Sequence, residues 1–239
     1  MSNTNKQEQQ LKLFQTHGHP CSYLDDQEAQ TLFVDPEAHL DQSTQTRLAE
    51  MGFRRSGDFV YRPSCASCKA CIPARIPVRS FEPNRTQRRI WKRHKQLTCE
   101  MTEARLTEEI YELYRRYIEA RHQDGDMYPT SPEQFEDFLV NSRANTRFLE
   151  YRDDGRLVAV AVTDVLDNGY SAVYTFFDPE NSKASFGVYT ILSQIHQARR
   201  AGLDYLYLGY WIKACQKMNY KVNYRPVELL VNERWTLLT

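Results

Sequence analysis

Apolar residues recur at helical spacing over residues 108–121, where Ile110, Leu113, Tyr114, Tyr117 and Ile118 share one face. Residues 186–200 are amphipathic in the same way, and 132–140, opened by Pro132, predicts a further helix. Runs of apolar residues at 147–151, 157–166 and 170–177 predict three strands. They are punctuated by Asp154-Gly155 and Asn168-Gly169, dipeptides that favour tight hairpins. Strands are also expected at 97–102, 205–208 and 226–231, with a helix at 212–218. Upstream the elements are shorter. Residues 42–51 predict a helix capped by Asp41 and stopped by Gly52, and 53–62 a hairpin turning at Ser56-Gly57-Asp58. An extended, proline-punctuated run covers 72–78, and Asn84 caps a basic helix reaching about residue 95.

From residue 97 the order is strand, two helices, three strands, helix, strand, helix, strand, which is the order of the GNAT acyltransferase fold. The fold class expected is therefore α+β, with a small cysteine-containing N-terminal domain followed by a GNAT-like domain. Residues 1–10 are polar and read as a disordered tail, 11–95 as the N-terminal domain and 96–239 as the transferase domain.

The chain has 239 residues, 41% hydrophobic and 26% charged, an ordinary composition for a folded protein. No apolar stretch approaches the roughly 20 residues that cross a bilayer, and no secretory signal opens the chain, so a cytoplasmic location and no membrane partner are expected. Formal net charge is zero, yet the balance is uneven. Eight Lys or Arg residues face one acid, Glu82, between Arg75 and Lys95. Within that stripe Arg85, Arg88, Arg89, Lys92 and Arg93 are candidate phosphate contacts, with Phe81 and Trp91 as aromatic platforms for an unpaired base. A solvated helix face is the plainer alternative.

Cys65, Cys68 and Cys71 are spaced three apart, and Cys21 lies far upstream. Four thiols can surround zinc or hold an iron–sulfur cluster, with His17 and His19 as substitute ligands; reduced thiols without metal fit the spacing equally. Cys99 and Cys215 read as core or half-buried thiols.

Five segments carry a resemblance: HPCSYL, GFRRSGDFVYRPSCASCKACIPARIPV followed by NRTQRR, VYTFFDP, and LYLGYWIKACQKMNYKVNYRPVEL. In this order they resemble the arginyl-tRNA–protein transferase family, most closely its short bacterial branch, which transfers leucine. The resemblance implies transfer of leucine from leucyl-tRNA to the N-terminus of proteins beginning with Asp or Glu, marking them for N-degron degradation. It implies no cofactor for the chemistry, because the ester is already activated. Arginyl transfer, or a GNAT N-acetyltransferase using acetyl-CoA, are the alternatives. Against a CoA donor stands the junction FFDPENSKASFGVYT, which has an acidic start and one glycine, Gly187, where a pyrophosphate cradle needs a glycine-rich basic turn.

That reaction assigns roles to particular residues. Asp178, then Glu228, then Tyr174 are candidates to take the amine proton, with a turn-forming role for Asp178 before Pro179 as the alternative. An acidic acceptor side chain needs a buried cation, for which Arg75, Lys217, Lys221 and Arg225 are the candidates. If the helix over 212–218 continues, Lys217 and Lys221 share a face. Tyr210 and Trp211, beside a permissive Gly209, can wall the adenosine or the leucyl side chain. Ser185 and Gly187 flank Phe186, where this branch is expected to carry a leucine, so the donor pocket is expected to differ there.

Overall fold

The computed structural model describes residues 10–123, 125, 127–181 and 184–239. The expected tail at 1–10 lies, except for residue 10, outside the described residues.

The N-terminal unit opens with strands β1 (Leu13–Gln15), β2 (His19–Pro20), β3 (Glu28–Ala29) and β4 (Thr31–Val34). Helix α1 (Gln42–Glu50) starts where the Asp41 carboxylate accepts from the Thr44 N–H at 2.7 Å. Strands β5 (Arg54–Ser56) and β6 (Phe59–Pro63) form the expected hairpin, with Gly57 at φ +56° in its turn. These elements build a four-stranded sheet, β1-β4-β6-β5, over a small core of Val34, Leu40, Leu48 and Phe53.

The larger sheet has eight strands, ordered β14-β13-β7-β12-β11-β10-β9-β8. Its members are β7 (Ile72–Pro77), β8 (Thr98–Glu103), β9 (Thr146–Asp153), β10 (Arg156–Val165), β11 (Gly169–Phe177), β12 (Tyr205–Trp211), β13 (Val227–Val231) and β14 (Arg234–Leu238). Strand β10 is buried from Leu157 to Asp164 without a polar face, because helices cover both sides of the sheet. On one side α3 (Glu108–Arg121) and α4 (Pro132–Phe135, continued by a π-turn, Glu136–Val140) pack Ile110, Tyr114, Phe135 and Leu139 against Phe148, Val160 and Phe176. On the other, α5 (Phe186–Arg200) and α2 (Arg85–Arg93) pack against each other and the sheet through Ile90, Trp91, Tyr189, Leu192 and Ile195.

Three expectations change. Strand β7 lies inside the large sheet between β12 and β13, and α2 packs on α5, so the sheets do not divide near residue 95. Local pattern cannot show this, because the pairings of β7 span more than 100 residues of chain. The helix over 212–218 is absent. Strand β12 runs on to Trp211, isolated turns follow, and a single 3₁₀ turn covers Asn219–Asn223, held by the Trp211 indole donating to the Asn219 carbonyl at 3.2 Å. Lys217 and Lys221 therefore share no α-helical face. Finally, β13 is followed by β14 across Asn232 and Glu233, both at positive φ, a two-residue hairpin turn that the pattern did not signal.

Candidate active site

Strands β11 and β12 run parallel, but they pair only from Gly169–Tyr205 to Ser171–Tyr207. Beyond that point β12 bulges between Tyr207 and Gly209 in its pairing with β7, and the two strands part. The gap opens into a cavity of about 1160 Å³, walled by Ala172–Thr175 on one side and Leu208–Tyr210 on the other. Gly187 and Val188, at the start of α5, close one end, and residues 217–225 another. The face of α2 bearing Asn84, Thr86, Gln87 and Ile90 forms a further wall. That helix is anchored by a capping box. The Asn84 side chain accepts from the Gln87 N–H at 3.0 Å, and the Gln87 side chain accepts from the Asn84 N–H at 2.8 Å.

The cavity lining is chemically mixed. Tyr117, Met127, Phe138, Val173 and Phe177 give it apolar surface. Arg54, Lys217, Lys221 and Arg225 give it cations. Lys221 is 3% exposed; its ammonium lies 3.6 Å from the Met218 sulfur and 4.8 Å from the Tyr220 ring centre. Burial, and then the neighbouring Arg54 charge, bring its pKa down to about 8. Arg225 is exposed and donates to the Thr239 carbonyl. Tyr210 lines the cavity with its hydroxyl donating to the Gly52 carbonyl at 2.9 Å.

Of the three proton-acceptor candidates, Tyr174 alone lines this cavity. Its hydroxyl is buried with no partner among the described residues, and burial raises its pKa well above the ordinary tyrosine value. A phenol held protonated by burial does not suit the proton-accepting role expected for it. Asp178 lies off the cavity, ion-paired with Arg156 and 3.5 Å from Arg116. It also accepts from the Glu180 N–H at 3.2 Å, the turn role weighed for it above. Glu228 pairs with Arg75 at 2.6 Å. The Arg75 guanidinium stacks 3.6 Å from the Tyr205 ring centre and 4.2 Å from that of Trp235, also away from the cavity. These two former candidates satisfy each other. Trp211 supports the 3₁₀ turn from outside, and Ser185, at φ 59°, opens α5 without lining the cavity. A β-carbon at Gly187 would stand 3.7 Å from the Phe177 ring, so that glycine is not forced by crowding.

On α2 the five expected phosphate contacts, Arg85, Arg88, Arg89, Lys92 and Arg93, are exposed. Phe81 is 2% exposed and cannot offer a base a face. Trp91 is half-buried, its ring 5.5 Å from those of Tyr189 and His196.

Cys21, Cys65, Cys68 and Cys71 are half-buried free thiols. The Cys71 thiol is pushed up to about 12, first by burial and then by Cys21, Cys65, Cys68 and Cys215, so the half-buried Cys215 joins this neighbourhood. Among the described residues no three His, Cys, Asp or Glu side chains converge as an ion's ligand set. The thiols are neighbours, since the others all act on Cys71.

The residue that sequence reasoning passed over is Arg54, inside GFRRSGD. It reaches from β5 across to the cavity, and its approach explains Gly209. That glycine has φ +78°, and a β-carbon on it would stand 3.1 Å from Arg54 Nε. The permissive glycine in LGYW was the available signal; its partner is 155 residues away along the chain.

A splayed parallel strand pair opening on a cavity, in a sheet of this order, is the arrangement of a GNAT-like acyltransferase fold. The model of the arginine-tRNA-protein transferase C terminus matches residues 109–231, and that of its N terminus matches residues 19–89. The chain belongs to the arginine-tRNA-protein transferase family. It is 56% identical over 228 residues to an aspartate/glutamate leucyltransferase of Pseudomonas fluorescens (strain Pf0-1), covering 95% of this chain and 97% of that one. It is 57% identical over 229 residues to the enzyme of that name from Stutzerimonas stutzeri (strain A1501), covering 96% and 97%. The solved structure of L-PGS from Bacillus licheniformis superposes with a TM-score of 0.48 at 11% identity, over 61% of this chain and 46% of that one.

Proposed function

We propose that this chain transfers leucine from leucyl-tRNA to the α-amino group of proteins that begin with Asp or Glu, in the cytoplasm. The observation that carries the reading is one cavity lined by both apolar side chains and cations, set at the gap between two parted strands. The apolar lining suits a leucyl side chain better than an arginyl one. The cations suit an acidic acceptor.

The acceptor's neutral amine attacks the ester carbonyl carbon. A C–N bond forms, the C–O bond to the terminal ribose breaks, and the proton shed by the amine ends on the departing ribose oxygen. An α-amino group titrates near 7.7–8.0, so a useful fraction is neutral at physiological pH and alignment alone supplies much of the rate. The ester carries its own activation, so the step needs neither metal nor coenzyme. The exposed cations of α2 contact tRNA phosphates along the helix that walls the cavity. Cys21, Cys65, Cys68 and Cys71 are the residues that would hold a structural zinc ion or iron–sulfur cluster, which elemental analysis of the purified protein decides.

The test mixes the protein with tRNA charged with labelled leucine or arginine and peptides beginning with Asp, Glu, Arg or Ala. Label on Asp and Glu peptides from leucyl-tRNA alone is the expected result. Label from arginyl-tRNA alone replaces the donor, and no label from either overturns the reading.

A further inference from the structure

Three of the buried and half-buried arginines reach into the larger sheet from β5 and β7: Arg54, Arg55 and Arg75. A guanidinium removed from water needs a counter-charge, since an unpaired buried ion costs several kcal/mol. Arg55 has one in Asp164, whose carboxylate it grips at 2.7 and 2.8 Å. Arg75 has one in Glu228. Arg54 has none among the described residues. Its two terminal nitrogens donate to neutral oxygens, the Ser171 hydroxyl at 2.6 Å and the Ala172 carbonyl at 2.5 Å. Asp164, the acid whose charge reaches it, is already committed to Arg55. The next cation along the wall, Lys221, adds to the excess, and no acid pairs with it among the described residues either.

We infer that Arg54, with Lys221 beside it, is the site that receives the side-chain carboxylate of the acceptor's first residue, the missing counter-ion of these cations. The inference rests on the transfer reading above and names the residue that selects the acceptor. Five N–H donors in a planar fork suit a carboxylate, and the two bonds to Ser171 and Ala172 fix that fork against β11 with the remaining donors uncommitted. A tRNA phosphate is the other anion of the reaction. The exposed α2 cations serve it better than a half-buried arginine beneath Gly209, flanked by Tyr61 and Tyr210. Gly209 is part of the device, because a side chain there would press on Arg54 Nε.

Steady-state transfer of labelled leucine to matched peptides beginning with Asp or Asn, together with leucyl-tRNA binding, tests this in the wild type, R54K and R54A. A wild-type protein that transfers leucine and prefers Asp over Asn establishes the reading on which the inference stands. The expected result for R54A is a rise in KM for the Asp peptide on the order of 10- to 100-fold, with loss of the Asp-over-Asn preference and unchanged leucyl-tRNA affinity. R54K, which keeps the charge and loses the fork, should fall between. An unchanged Asp/Asn ratio in both variants overturns the inference while leaving the transfer reading intact. Weaker leucyl-tRNA binding with the ratio preserved also overturns it, and gives Arg54 to a phosphate. If R54A fails to fold, R54K decides by the same ratio.

Discussion

Arg54 and Arg55 are consecutive residues of β5, and both reach into the larger sheet. Arg55 finds Asp164, which is 4% exposed and also accepts from the Thr146 hydroxyl at 2.8 Å, so every charge in that group is cancelled locally. Arg54 finds a hydroxyl and a carbonyl, and among the described residues no acid cancels its charge in the cavity. The pair teaches what sets Arg54 apart. Burial is similar; what differs is that Arg54 lines the cavity and no described acid is bonded to it. By the same criterion Arg75, closed by Glu228 and stacked between Tyr205 and Trp235, belongs with Arg55.

The sharpest test of that contrast is stability. Removing one partner of a buried pair leaves the other charge bare, so R55A is expected to lose about 3–5 kcal/mol of unfolding free energy. R54A should lose less than about 1 kcal/mol, because no bound charge is stranded. Urea unfolding measures both, and equal losses would break the comparison.

A smaller effect is expected at Gly209. Alanine there pays about 1–2 kcal/mol for a left-handed backbone and also displaces Arg54. Gly202, at φ +75° with nothing within 4 Å of a β-carbon, is the control. G202A should show the backbone cost alone and normal use of Asp peptides. G209A should lose both stability and Asp-peptide use, and matching kinetics for the two variants would remove Gly209 from the site.

The pH dependence of Lys221 sharpens the picture further. Its pKa is about 8 in the fold against 10.5 ordinarily, so between those values the unfolded chain binds more protons. This group's contribution to stability therefore rises with pH from about 8 to about 10.5, and is lost as pH falls through 8. Attraction for a carboxylate runs the other way, weakening above about 8 as the charge goes. KM for Asp peptides should climb there in the wild type. K221R, still charged, should keep it flat; a climb of the same size in K221R would exclude Lys221 as its source.

The smallest effect concerns α2. Replacing Arg88 and Arg89 by alanine should flatten the logarithmic salt dependence of tRNA binding by about 1.4–1.8. The Asp/Asn ratio should not move, which separates these exposed cations from the one in the cavity. Binding with an unchanged slope would take α2 off the tRNA path.

Much of the fold was legible along the chain. The helix over Glu108–Arg121 and the three-strand meander follow from periodicity and from the Asp154-Gly155 and Asn168-Gly169 turns, which act over a few residues. The Asn84 cap, the motifs of the family and the reaction they imply were likewise readable without coordinates. The pairing of charges was not. Asp178 and Glu228 were attractive as bases, and Arg75 as a selector, while nothing showed what each would meet; each met an opposite charge and was neutralised. The missing helix at 212–218 left Lys217 and Lys221 without a shared α-helical face, and the insertion of β7 brought Arg75 and Glu228, 153 residues apart, to 2.6 Å. Local sequence sets which residues turn, cap and cover a face, because those interactions are short in range. Which buried charge remains uncancelled depends on contacts across more than 100 residues, and only the folded chain decides it.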